Sequence, residues 1–347
     1  MTRASDFDFT VPPELIAHAP ADRRDQARLM VLDRAKRTLD HQHFFDLADY
    51  LLPGDLLVLN DTKVIPANLV GKKEDGGAKV EVLLAKLMEP ATEPASPARQ
   101  GGRRGSIWEC LVKPGKRLKV GSKAVFGDNE VIGIVLEKTD SGEQIIEFRG
   151  DIEKFMHKEG EIPLPPYINT TPDPQLNDRY QTVYAAKEGA SAAPTAGLHF
   201  TPELLKKIEA KGVKIARVTL HTGLATFKPI YAENIEDHKM HSEYFEIPEE
   251  TKQAVREAKR VIAVGTTSVR ALEADARGDK GETNLYITPG YEFRVVDAMI
   301  TNFHWPRTTL ILLVSAFAGK DFIMKAYREA IAEKYRFFSF GDAMLIL

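Results

Sequence analysis

"VIAVGTTSVRALEADA", Val261–Ala276, carries the clearest statement of fold class in the chain. "VIAV" reads as a buried strand. Gly265 breaks it, and "TTSVRALEADA" continues with the apolar period of a helix. "TPELLKKIEAKG", Thr201–Gly212, has Thr201 as N-cap, Pro202 in the first turn and Gly212 as a stop. "VKIARVTLH" follows as a strand, and "PEETKQAVREAKR" as another helix. "DLLVLND", Asp55–Asp61, reads as a further buried strand. This alternation predicts an α/β domain with a largely parallel sheet and flanking helices.

Between about Leu69 and Ile152 the character changes. "AKVEVLLAKLM", "SIWECLVK", "KAVFG", "EVIGIVLEKT" and "EQIIEFRG" are short alternating or β-branched runs separated by Gly, Asp and Ser. They predict a small antiparallel β-barrel inserted into the α/β domain. The expected division is a discontinuous main domain, 1–68 and 152–347, around a barrel at 69–151. "EPATEPASPARQGGRRG", 89–105, is expected to be a mobile loop within that barrel, from its Pro, Ala, Gly and Ser content.

With 347 residues, 43% hydrophobic and 28% charged, a soluble globular core is expected. A net charge of −3, from 47 basic and 50 acidic residues, excludes a globally basic nucleic-acid binder. Locally the balance inverts. Arg99, Arg103, Arg104, Lys113, Lys116, Arg117, Lys119 and Lys123 face Glu109 alone, which suits a polyanion such as RNA or simply a solvated face. The single cysteine, Cys110, excludes an intrachain disulfide and fits a reducing compartment. "MTRASDFDFTVPPELIA" lacks an apolar signal core, and "TTLILLVSAFAG", 308–319, is too short to span a bilayer. No membrane association is expected.

Phosphate-loop, dinucleotide and paired-cysteine patterns do not occur. His238, His241 and Glu243 lie close in sequence, but no third strong ligand follows at regular spacing, and no metal site is expected. Gly265 ends a strand where open sheets bind ligands. There the free N–H groups and hydroxyls of Thr266, Thr267 and Ser268 can hold a carboxylate or phosphate, with Arg270 in the first turn. "RVTLHTGLATFKPI" presents His221, Thr222, Thr226 and Phe227 at a bend; "ITNFHWPRTT" presents Asn302, His304 and Trp305. "SAAPTAGLHF", 191–200, delivers His199 from a small-residue stretch. A lone histidine is more often a hydrogen-bonded structural residue, but three of them at strand ends or bends suggest convergence. Phe200, Phe227 and Trp305 can stack on a base or face a cation, or be core residues.

Taken together, "LNDTKVIPANLVG", "YQTVYA", "SAAPTAGLHFT", "LHTGLATFKPI", "HKMHSE", "VGTTSVRALE", "PGYEFRVVDAMITNFHWPRTTLILLVSAFAG" and "RFFSFGDAMLIL" occur in this order. The chain closely resembles, essentially end to end, the S-adenosylmethionine:tRNA ribosyltransferase-isomerase family of the queuosine pathway. The resemblance implies a cytoplasmic enzyme that needs no metal. S-adenosylmethionine is consumed as ribosyl donor, and the acceptor is aminomethyl-deazaguanine at the wobble position of a tRNA. Isomerisation would give epoxyqueuosine, with release of adenine and methionine. On this reading His199 is the first candidate for acid–base work, followed by His221 and His304, and Asp61 binds a hydroxyl or the substrate amine. Thr195, Gly197 and their small neighbours let the nucleoside approach the backbone. Thr266, Thr267 and Arg270 hold a carboxylate or phosphate, and Phe227 and Trp305 stack or flank the sulfonium. The basic barrel residues from Arg103 to Lys123 hold the tRNA of a monomeric enzyme. A non-catalytic RNA-binding module and a hydrolase are the other classes considered; the latter lacks a GxSxG elbow.

Overall fold

The structure is a computed structural model that describes residues 2–90, 105–139, 142–165, 167–168, 174–223 and 229–347. Arg103, Arg104, Thr226, Phe227 and most of the 89–105 loop therefore lie outside the described residues. Two compact units divide the chain: residues 1–63 with 165–347, and residues 64–164.

In chain order the strands are β1 (Arg28–Asp33), β2 (Thr38–His43), β3 (Asp55–Asn60), β4 (Thr62–Val64), β5 (Asn68–Lys73), β6 (Lys79–Glu89), β7 (Ser106–Lys113), β8 (Lys123–Phe126), β9 (Val131–Lys138), β10 (Gln144–Arg149), β11 (Lys187–Ala190), β12 (Lys214–Leu220), β13 (Glu243–Glu246), β14 (Arg260–Val264), β15 (Glu282–Thr283), β16 (Ala298–Asn302) and β17 (Ala343–Ile346). The α-helices are α1 (Ile152–Glu159), α2 (Pro174–Arg179), α3 (Pro202–Ala210), α4 (Glu249–Glu257), α5 (Thr266–Arg277), α6 (Thr309–Ala318) and α7 (Lys320–Ala332).

The larger unit is built on a nine-stranded sheet in the order β15-β13-β12-β3-β14-β16-β17-β1-β2. Its parallel character is concentrated at the centre. β12, β3, β14 and β16 run one way, while β17 pairs antiparallel to β16 and parallel to β1. Both outer ends close antiparallel, through the β1–β2 hairpin and through β13 against β12 and β15. The sheet is thus mixed: the helix–strand alternation announces its parallel strands, while the β1–β2 hairpin and the C-terminal β17 extend it with no crossover helix between neighbours.

Side-chain alternation explains why the central strands read as continuous apolar runs. Leu57, Leu59, Ile262, Val264 and Ile300 face a core with Phe44, Leu47, Phe200, Leu204 and Ile208. Leu56, Val58, Val261, Ala263 and Met299 face the other core, with Val269, Leu272, Ile311, Val314 and Tyr327 from the helices. A strand buried on both faces loses its polar alternate positions. The run at 308–319 is α6, buried along most of its length. No helix among the described residues is long and apolar enough to cross a membrane.

The smaller unit is a closed six-stranded antiparallel barrel, β10-β7-β6-β5-β8-β9. Inward positions on β7 are Ser106, Trp108 and Cys110, alternating with partly exposed neighbours. The barrel is narrow enough that one interior position requires glycine: a Cβ at Gly71 would stand 2.7 Å from the Phe126 ring. The β7–β8 connection carries the basic cluster. Lys113, Lys116, Arg117, Lys119 and Lys123 are all exposed. Arg117 donates to the Lys79 carbonyl (2.7 Å), and Lys123 pairs with Glu74 (3.3 Å).

Candidate active site

Four parallel strands end along one edge of the main sheet, at Asn60, Leu220, Val264 and Asn302. A cleft of about 550 Å³, partly open to solvent, lies at this edge. Its walls come from the 193–196 bend, Thr222, the start of α5, the end of β16 with the residues that follow, Leu310 of α6, and Phe338 and Ser339. This is the crevice in which open α/β sheets bind ligands.

Gly265 makes the turn from β14 into α5. Its φ of +86° is open to glycine at little cost, and its N–H donates to the Ile300 carbonyl (2.7 Å). Thr266 and Thr267 therefore arrive at the cleft on the first turn of a helix, where main-chain N–H groups have no helical acceptor. Ser268 does not join them, because its hydroxyl donates back to the Val264 carbonyl (2.7 Å). Arg270 is turned away. Its guanidinium is buried in an ion pair with Glu243 and donates from Nε to the Leu285 carbonyl.

His304 lines the cleft, with Nε2 2.8 Å from the Thr301 hydroxyl. Burial alone pulls its proton affinity down, to a pKa of about 3. His199 does not line the cleft. It lines an adjoining hollow, with Nε2 3.3 Å from Asn302 Nδ2 and its ring 4.9 Å from that of Phe44. Burial lowers it to about 4; hydrogen bonds with the Arg24 backbone, which accepts, and with Asn302 oppose this, and the charges of Arg24 and Arg336 add to it. His221 stands apart from the cleft lining, bonded to the Thr62 hydroxyl (2.8 Å) and stacked on Tyr244. Burial, its largest influence, lowers it too. Asp61 also stays behind the strand end, where its carboxylate accepts from Thr219 (2.7 Å).

Asn302 is the pivotal polar group of the cleft. Its Nδ2 donates to the Phe338 carbonyl (3.0 Å), which sets the orientation of the amide. Among the described residues, Oδ1 is then buried with no hydrogen-bond partner, as is the Thr222 hydroxyl oxygen. Such atoms are uncommon in folded interiors. Two of them in one cleft wall are acceptors available to a ligand. Trp305 supplies an aromatic wall by stacking face to face on Phe338, with centroids 3.6 Å apart and planes 10° apart. Phe338 holds a left-handed φ of +73°, and Tyr167 packs edge-on against both rings.

Sequence reasoning places Thr195, Thr222, Gly265, Thr266, Thr267, Asn302, His304 and Trp305 at this cleft, and all eight line it. It assigns no role to Thr301, Phe338 or Ser339, which also line it. The aromatic pair within "RFFSFG" and the threonine preceding "NFHW" were the signals available. Two readings change. Phe200 is fully buried, edge-on against Phe44 and Tyr184, and belongs to the core. Gly197 is small for a different reason from close nucleoside approach: a Cβ there would collide with the Tyr184 hydroxyl and stand 2.8 Å from Thr182 Cγ2. The histidine-rich 238–247 segment is likewise accounted for by packing, with His238 edge-on to Tyr286 and Glu243 paired with Arg270. No cluster of three or more metal-binding side chains occurs among the described residues.

A cleft at the carboxyl edge of a parallel sheet core, with an aromatic plate, helix-start hydroxyls and a buried neutral imidazole, defines a ligand-binding α/β protein carrying an inserted β-barrel. The queuosine biosynthesis protein family model matches residues 4–346. The S-adenosylmethionine:tRNA ribosyltransferase-isomerase of Halothermothrix orenii is 51% identical, across 99% of this chain and all of that protein. The crystal structure of S-adenosylmethionine tRNA ribosyltransferase from Thermotoga maritima is 40% identical over 99% of this chain and all of its own, with a TM-score of 0.55. The chain belongs to the queuosine biosynthesis family of ribosyltransferase-isomerases, and is an enzyme of that family.

Gly197→Ala should destabilise the chain by roughly 1–3 kcal/mol, the usual range for overpacking a core. Tyr184→Phe, which removes the hydroxyl, should recover part of the loss in urea denaturation. No recovery would mean that another contact forces the glycine.

His199 and His304 remain neutral at pH 7 when folded but take up protons near 6.5 when unfolded. Their depressed values make stability complete above about pH 6.5 and eroded as pH falls toward 4 and 3. The melting temperature should drop over that interval, less steeply in His304→Asn. Thermal melts at pH 7, 6 and 5 measure the two slopes, and equal slopes would contradict the buried neutral state of His304.

Proposed function

We propose that this chain transfers the ribosyl group of S-adenosylmethionine to 7-aminomethyl-7-deazaguanine at the wobble position of tRNA. It then isomerises the sugar to the epoxycyclopentane of epoxyqueuosine, releasing adenine and methionine. The end-to-end family match supports the reaction class. The observation that carries the site assignment is the pair of unpartnered buried acceptors, Asn302 Oδ1 and Thr222 Oγ1, beside the Trp305–Phe338 plate.

S-adenosylmethionine is a consumed substrate on this reading. Its sulfonium makes the adjoining ribose carbon electrophilic and its protons acidic, so much of the reactivity resides in the substrate. A proton beside sulfur is removed, and that carbon bonds to the anomeric carbon as adenine leaves with the glycosidic electron pair and is protonated. The aminomethyl nitrogen, having lost a proton, bonds to the other carbon that holds the ring oxygen, and the freed oxygen closes the epoxide on the sulfur-bearing carbon as methionine leaves with the carbon–sulfur electron pair. The protein must orient both substrates and move these protons.

Acid–base duty is assigned to His304, in the cleft wall, and to His199, one contact behind it through Asn302. Both are neutral near pH 7, the form able to accept a proton. The Asn302 and Thr222 oxygens can accept from ribose hydroxyls or an exocyclic amine. Trp305 offers its face to the base or the sulfonium. The hydroxyls and N–H groups of Thr266 and Thr267 suit an anionic group. His221 and Asp61, held behind the strand ends, have a more remote part, and Arg270 is committed to Glu243. The enzyme works as a cytoplasmic monomer, with the basic β7–β8 connection of the barrel holding the tRNA.

Incubation with S-adenosylmethionine and precursor-bearing tRNA should liberate adenine and methionine. A binding module would yield neither, and a hydrolase would not need the modified tRNA. His199→Ala and His304→Gln should each lower turnover on the order of 100-fold, with substrate binding kept. Near-normal turnover in both would remove the acid–base assignment.

Charge reversal of Lys116 and Arg117 to Glu should raise the tRNA KM and flatten its salt dependence, because phosphate contacts release counterions. A salt slope identical to wild type would exclude the patch from the interface.

A further inference from the structure

We propose that Arg24 and Arg179 form an oxyanion-binding site in the hollow that adjoins the cleft. The site itself rests on geometry alone; which oxyanion reaches it rests on the ribosyl-transfer reading above.

The hollow is a small depression partly open to solvent, and Arg24, Arg179, His199 and Gly341 are among its walls. It meets the cleft at Ser339, which lines both, and through the His199–Asn302 contact. Arg24 donates to the carbonyls of Leu198 and Asp178, each at 3.1 Å. Arg179 donates to the carbonyls of Ala21 and Asp22, and its Nε is buried without a partner among the described residues. All these acceptors are main-chain oxygens. Among the described residues neither guanidinium has an ion-pair carboxylate.

Arg270 pairs with Glu243 and Arg260 with Asp55 at 2.6 Å, while Arg34, like Arg24, donates to main-chain carbonyls; what sets Arg24 apart is the second guanidinium beside it. Burial, then the Arg179 charge, lowers its proton affinity. Two partly buried like charges held together without a counter-charge are unfavourable unless something negative joins them. A phosphate or carboxylate oxygen pair matches the guanidinium fork and would turn the repulsion into charge-assisted hydrogen bonds. Withdrawal of Arg270 from the cleft leaves this pair as the cationic partner beside it.

The candidate oxyanions are a tRNA phosphodiester and the carboxylate of S-adenosylmethionine. Inorganic sulfate serves as the probe. Millimolar sodium sulfate should raise the wild-type melting temperature above sodium chloride of equal ionic strength. Arg179→Gln should lose that difference, and Arg179→Lys, which keeps the charge but not the fork, should retain part of it. In the adenine-release assay Arg179→Gln should raise one KM about tenfold. A higher tRNA KM, with the salt slope reduced by about one, identifies the phosphodiester. A higher S-adenosylmethionine KM identifies the carboxylate. Absence of a sulfate-specific rise in wild type, an undiminished rise in Arg179→Gln, or both KM values unchanged would each overturn the site. A wild-type chain that binds sulfate but releases no adenine would retain the site and discard the ribosyl-transfer reading.

Discussion

The antiparallel seam between β16 and β17 is the constraint on which the rest depends. Met299 stands opposite Ile346 and Asn302 opposite Ala343. The sheet reverses direction there, so the carboxyl ends of β12, β3, β14 and β16 share an edge with the amino ends of β17 and β1. Segment 336–342 and the approach to β1 are thereby drawn to the cleft. Asp342 locks the arrangement by accepting from the main chain of Arg28 (2.9 Å) and of Arg336 (2.7 Å). Had β17 run parallel to β16, Phe338 and Ser339 would sit at the opposite edge and the cleft would lose its aromatic plate.

Two asparagines, at the ends of the parallel strands β3 and β16 that flank β14, show how structural and ligand-facing polar groups differ. Asn60 donates from Nδ2 to the Leu220 carbonyl and the Thr267 hydroxyl, and accepts at Oδ1 from the N–H groups of Leu220 and Thr62. It ties β3, β12 and α5 together, and its bonding capacity is used. Asn302 is equally buried, but its Oδ1 is unpaired. Leaving a buried acceptor unmet costs on the order of 1–3 kcal/mol. A related distinction separates Arg270, which has a carboxylate partner in Glu243, from Arg24 and Arg179, whose hydrogen bonds among the described residues go to main-chain carbonyls.

Legibility in the sequence followed the range of the interactions concerned. Strand and helix periods, the turn at Gly265, the Thr201 cap and the barrel strands are local, and they were readable. The cleft residues within "GTTS" and "TNFHW" were readable as well, because a strand end followed by small polar residues is itself a local pattern. Arg270 was misleading: one turn into its helix, it looked like an anion ligand, and only the fold brings Glu243 of β13 against it. Gly197 was misleading in the same way, since Tyr184 is distant along the chain and meets it only through a tertiary contact that no spacing rule encodes.

By itself, then, the sequence determined the α/β class with an inserted barrel, the family, and the stretches from which the cleft is drawn. The class and the cleft stretches follow from periodicity and short-range backbone chemistry, and the family from the resemblance of the ordered motifs. The tertiary structure alone decided which of those side chains face a common space. It set His304 in the cleft wall with His199 behind Asn302, and left Arg24 and Arg179 together without a carboxylate. The reason is physical: partnership between buried charges and acceptors depends on strand order and direction, which are set by pairings across hundreds of residues rather than by neighbours along the chain.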